Sequence, residues 1–144
     1  MTHEDKGHYS KKHPADKKVN PEIAEAVEAK ASENQISCAK AFKIVEEMSI
    51  ESSEAGFTID SLEISLTKCQ LGLYGYGPER KAIKPMEDVS KGLEDAIQNS
   101  LEDGRLKCKS AWEIAENLNI TKMDVSSACE ALKIKIGSCQ LGAF

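Results

Sequence analysis

The sequence predicts a mainly α-helical fold with short β segments: two copies of a three-helix-plus-strand unit, packed with pseudo-two-fold symmetry. Three observations lead there. The chain matches itself without a gap at one constant offset, so that positions 20–74 overlay 90–144. Apolar residues recur at helical spacing within each copy. The composition, 144 residues with 40% hydrophobic and 30% charged, suits a packed globular protein. Aromatics are only 5%, so Ile, Leu, Val, Ala and Met must build the core.

The repeat is carried by identities in a single register. Cys38 falls on Cys108, Ala41 on Ala111, Ile44 on Ile114, Glu46 on Glu116, Ile50 on Ile120, Leu62 on Leu132 and Ile64 on Ile134. Cys69-Gln70-Leu71-Gly72 recurs as Cys139-Gln140-Leu141-Gly142. The chain accordingly divides into a flexible tail (1–19), repeat 1 (20–74), a linker (75–89) and repeat 2 (90–144).

Each copy opens with a helix. Asn20 is an N-cap residue, and Pro21 suits the first helical position. The apolar stripe is Ile23, Ala26 and Val27, matched by Leu93, Ala96 and Ile97. Asp103-Gly104 reads as a helix stop, with Asn34 at the place of Gly104. The second helix carries Ala41, Ile44, Val45 and Met48, matched by Ala111, Ile114, Ala115 and Leu118, one face of a helix. The third carries Ala55, Thr58, Ile59 and Leu62, matched by Val125, Ala128, Cys129 and Leu132. Thr121 with Asp124 has the form of a capping box. The period then switches to two at Ile64 and Leu66, and at Ile134 and Ile136, which predicts a short strand. A lone buried strand leaves backbone groups unpaired. Pairing Ile64–Leu71 with Ile134–Leu141 across the copies is the economical solution. Phe42 and Trp112, beside the core stripe, are expected to fill the contact between copies.

Over positions 111–132 the second copy resembles a helix-turn-helix DNA-binding motif: Ala115 is the small residue where the helices cross, Asn119 the turn residue, and Ile120 and Val125 the apolar positions beyond. The neighbouring helix and strand extend the likeness toward a winged-helix-like layout. The first copy departs from it, with Val45 at the small position and Ser49 in the turn. The resemblance implies that the 122–133 helix presents Lys122, Ser126, Ser127, Glu130 and Lys133 to a DNA groove or to another partner. The first copy presents Ser52, Ser53, Glu54, Phe57, Asp60 and Glu63, among which Phe57 is the expected apolar contact.

Charge weighs against DNA. The whole chain is −5; repeat 1 has four basic against ten acidic residues, and repeat 2 seven against eight. Phosphate contacts supply most non-specific affinity, and acids repel them. The expected function is therefore a non-enzymatic regulatory or adaptor module that binds a protein partner through helix-turn-helix-like faces. The alternative is a DNA-binding transcriptional regulator using repeat 2, with a homodimer possible in either case.

A third reading is a cysteine-ligated metal protein in which Cys38, Cys69, Cys108 and Cys139 converge. No pair among the five cysteines has C-x-x-C spacing, so buried apolar thiols are the expectation, and Cys129 lies on a core stripe. His3, His8 and His13 do not share one helical face and read as part of a solvated tail. No catalytic motif is present and no cofactor is expected. With no membrane-length apolar run and no signal-like start, a cytoplasmic location is expected.

Overall fold

Asn20 and Pro21 start the first helix as the sequence predicts. The Asn20 side chain accepts the Glu22 N–H at 2.9 Å, and α1 runs Pro21–Lys30 with Ile23 and Val27 buried. The computed structural model describes residues 18–76 and 81–143. The expected flexible tail, with its three histidines, falls almost wholly outside the described residues. The elements that follow are β1 (Gln35–Ser37), α2 (Cys38–Met48), α3 (Ser52–Ser61) and β2 (Ser65–Thr67), then α4 (Lys91–Ser100), β3 (Arg105–Lys107), α5 (Cys108–Leu118), α6 (Lys122–Leu132) and β4 (Lys135–Gly137). The fold is mainly helical with short strands. The order helix, strand, helix, helix, strand occurs twice, each element starting at the offset that relates Cys38 to Cys108.

The strands pair differently from expectation. β1 lies parallel to β2 with Ile36 opposite Leu66, and β3 lies parallel to β4 with Leu106 opposite Ile136. Strands therefore pair within a copy, not between Ile64–Leu71 and Ile134–Leu141. Each copy has a second strand, which the sequence pattern does not announce. Parallel strands need a long crossover, and α2 with α3, or α5 with α6, supplies it.

A two-residue turn makes this second strand possible. Ser32 and Gln35 exchange N–H···O bonds of 2.8 and 2.9 Å around Glu33 and Asn34, at φ 51° and 62°. Glu102 and Arg105 do the same at 2.8 and 3.0 Å around Asp103 and Gly104, at φ 52° and 76°. Positive φ at both central residues is the type I′ signature, and Asp-Gly is among its strongest sequence signals. Asp103-Gly104 is thus a tight turn into β3 and not the end of α4, which stops at Ser100.

The chain forms two compact units whose limits differ from those of the repeats. One runs as far as Cys69 and takes in the segment from Gln140 onward; the other spans Gln70–Cys139. Each unit thus contains the Gln-Leu-Gly segment that ends the other copy. In the first, Leu141 and Ala143 are buried, and a Cβ on Gly56 of α3 would collide with the Leu141 carbonyl oxygen. In the second, Leu71 is fully buried, and Gly72 sits beside the Met123 side chain of α6. Burying each leucine contributes roughly 1.5–3 kcal/mol.

The turn gives a clean test. A Cβ on Gly104 would meet nothing within 4 Å, so its substitution changes only backbone strain. Gly104→Ala is expected to destabilise by about 1 kcal/mol in urea unfolding, and Gly104→Asn, the residue at the equivalent Asn34, to cost much less.

Candidate binding cleft on the second unit

The corner between α5 and α6 is built by short-range rules. Asn119 ends α5 in the left-handed conformation (φ 55°, ψ 46°), and its N–H turns back to the carbonyls of Ala115 and Glu116. Ile120 donates its N–H to the Ala115 carbonyl at 3.0 Å. Thr121 then caps α6: its hydroxyl accepts the Asp124 N–H at 3.0 Å, and the Asp124 carboxylate accepts the Thr121 N–H at 3.2 Å. This is the reciprocal capping box that the sequence predicts. Ala115 is buried at the corner.

A cleft of about 520 Å³ lies at this corner, lined by Gln70, Trp112, Ala115, Glu116, Ile120, Thr121, Lys122 and Met123. Ala115, Ile120, Met123 and the indole supply apolar surface; Lys122, Glu116, Gln70 and Thr121 supply polar groups. Lys122 opens α6, where the helix dipole disfavours a cation. Two contacts offset this. Its ammonium lies 4.4 Å from the centre of the Trp112 ring, within cation–π range, and donates to Gln70 Oε1 at 3.3 Å. Leu118, 41% exposed, is the one large exposed apolar side chain among the described residues, three positions after Ala115 on α5.

The expected contact residues divide sharply. Lys122 lines the cleft. Ser126, expected to point outward, is fully buried at 0% exposure, and Phe57, the expected apolar contact of the first copy, is buried at 3%. Asp60 is buried as well. The reason lies in α3 and α6 themselves. Residues 55–60 of α3 are buried without a break, more than one helical face. The Leu141 segment covers the side that one-sided packing would leave in water.

On α6 the segment before α4 does similar work. Met86 donates its N–H to the Ser127 carbonyl at 3.0 Å, and Lys81 pairs with Glu130. Lys133 is exposed and caps α6 in the left-handed conformation (φ 58°). Residues 81–86, expected to be part of a linker, thus pack on the helix that the motif resemblance assigns to groove reading. No sequence signal marked this, because neither Lys81 nor Met86 belongs to the repeat.

The cysteines separate in pairs. Cys38 and Cys69 belong to the first unit, Cys108 and Cys139 to the second. Among the described residues no three His, Cys, Asp or Glu groups come together as a metal site, so the four-cysteine convergence is not formed. Cys129 is buried on α6, and burial, helped by the Glu130 carboxylate, pushes its thiol from 9.0 up to about 11. No family model matches the chain, and neither does any curated protein or solved structure. No helix among the described residues is long and apolar enough to cross a membrane.

Two measurements check this packing. Ser126 Oγ makes no hydrogen bond among the described residues. Ser126→Ala removes a buried polar atom without enlarging the side chain, so stability is expected to rise by about 1 kcal/mol. Cys129 gives a pH test. Its folded pKa is raised, so its contribution is fully present below pH 9.0 and is lost as pH climbs toward 11. Urea midpoints of the wild-type chain should therefore fall more steeply than those of Cys129→Ala across that window. Parallel curves would refute a buried, suppressed thiol.

Proposed function

We propose that this chain is a non-enzymatic adaptor or regulatory module that binds a protein partner at the helix-turn-helix-like corner of its second unit. The observation that carries this reading is the Trp112 cleft. Its apolar surface is flanked by Lys122, Glu116, Gln70 and Thr121, which resembles the apolar centre and polar rim of protein interfaces. Trp is among the residues that most often anchor such contacts. A partner segment with one apolar side chain and flanking polar groups fits it: the side chain enters against Met123 and the indole, and its flanks meet Glu116 and Lys122.

DNA is the weaker partner for the same corner. Ser126 is buried, Ser127 and Glu130 are engaged by residues 81–86, and Lys122 is drawn toward Trp112 and Gln70. That leaves Lys133 as the freest basic group of the expected contact set. The net charge of −5 opposes approach to phosphates. The non-enzymatic reading is supported by the sequence, in which His3, His8 and His13 are the only histidines and all lie far from the cleft along the chain.

The test compares partner retention on the immobilised full chain with retention on two variants. Glu116→Lys reverses an exposed charge at the cleft, and Met123→Glu places a charge on its apolar wall. Each is expected to reduce retention by about tenfold, as for a central interface residue. Titration with random duplex DNA is expected to show no salt-dependent binding at micromolar protein. Unchanged retention by both variants, or salt-dependent DNA binding, would overturn the proposal.

A further inference from the structure

We infer that the groove over α3 in the first unit also accepts residues 140–143 from a second copy of this chain, so that two copies exchange these tails. The surface is distinct from the Trp112 cleft, so failure of either proposal leaves the other standing.

The groove already has an occupant of defined chemistry. Leu141 and Ala143 are buried in the first unit, and the Leu141 carbonyl oxygen occupies space that any side chain at Gly56 would need. The chain passes from one unit to the other between Cys139 and Gln140, one residue beyond Ser138 in the left-handed conformation (φ 51°). Docking against α3 uses only the segment beyond that point. An identical segment from another molecule makes the same contacts. Such exchange of an identical element is a low-cost route to dimers, and when reciprocal it closes on itself.

The groove also selects its occupant. The second unit has Ser126 where the first has Gly56, so the backbone of Leu71 cannot approach α6 as the backbone of Leu141 approaches α3. Beyond the shared Cys-Gln-Leu-Gly, one tail continues Ala143-Phe144 and the other Leu73-Tyr74. The small Ala143 is buried, whereas Leu73 is half-buried. Positions 138–144 carry no charged side chain, so the segment enters an acidic repeat without meeting repulsion. The matched occupant is therefore a copy of the chain's own last described segment.

Complementation tests the exchange on full chains. Gly56→Val closes the groove and leaves the tail intact; Leu141→Asp disables the tail and leaves the groove intact. Each variant alone is expected to remain at the 15.7 kDa chain mass by light scattering. Mixed at about 1 mM, the effective concentration a short tether imposes, they should give a species of twice that mass. A mixture that stays monomeric, or variants that dimerise equally well alone, would overturn the inference. If circular dichroism shows that either variant fails to fold, a labelled peptide spanning positions 138–144 is titrated onto Leu141→Ala and onto wild type. Binding about tenfold tighter to Leu141→Ala, whose own tail holds the groove less well, supports exchange. Equal or absent binding overturns it. Peptide uptake by a chain that never dimerises also overturns it, and leaves the groove to another protein's segment.

Discussion

The third helix of the first unit, α3, is buried on more sides than neighbours on one side can cover. In α3 the buried run from Ala55 to Asp60 goes around the helix, and the two helices before it account for only part of that cover. Further cover comes from the Leu141 segment at the end of the second copy, whose carbonyl lies where a Cβ on Gly56 would sit. Leu71 has the corresponding place in the second unit. Without these leucines, each repeat would expose an apolar helix face to water, and a body of about 55 residues has little stability to spare. The repeated Cys-Gln-Leu-Gly is thereby explained in part: leucine supplies buried area, and Gly72 and Gly142 supply positive φ, 75° and 80°, where the segment bends.

Backbone shape extends the sequence repeat further than side-chain identity does. Positive φ occurs at Glu33, Asn34, Ser49, Glu63, Lys68 and Gly72, and at their counterparts Asp103, Gly104, Asn119, Lys133, Ser138 and Gly142. Most of these are not glycine, and each such residue carries a left-handed penalty of about 1 kcal/mol. The strain persists because each position closes a turn that fixes the next element. Asn34 illustrates the compensation: its amide donates to the Glu63 carbonyl at 2.9 Å, tying the turn before β1 to the turn before β2.

The helices were legible in the sequence because their signals are local. Asn20-Pro21, the Thr121–Asp124 box and the stripe of Ala111, Ile114 and Ala115 each act within a turn or two, and each is found where expected. The extra strands were not legible, since Gln35–Ser37 and Arg105–Lys107 are too short to show alternation. The Asp103-Gly104 turn was the available clue. The outward placement of Phe57 and Ser126 failed for a different reason. Placing Phe57 and Ser126 on an outward face assumes one buried stripe per helix, and that assumption breaks when a distant segment covers the opposite side. Gly56, a glycine inside a helix, was the local hint of close backbone approach. Helical glycine costs stability unless something uses the space it leaves.

The same covering bears on what the α5–α6 corner can do. A groove-reading helix needs a row of side chains free to meet base edges and basic groups free to meet phosphates. On α6 that row is interrupted by burial at Ser126, by the Lys81–Glu130 pair and by Met86 at the Ser127 main-chain carbonyl. Freeing it would require breaking the Met86–Ser127 bond and the Lys81–Glu130 pair, and DNA would have to supply more than their cost against an overall negative charge. A protein segment entering beside Trp112 needs no such rearrangement, because Met123, Ile120 and the indole already line the cleft. The two partners therefore differ in what must first be undone. Reading DNA through α6 begins with a loss of native contacts, whereas filling the cleft begins with a gain of buried apolar surface.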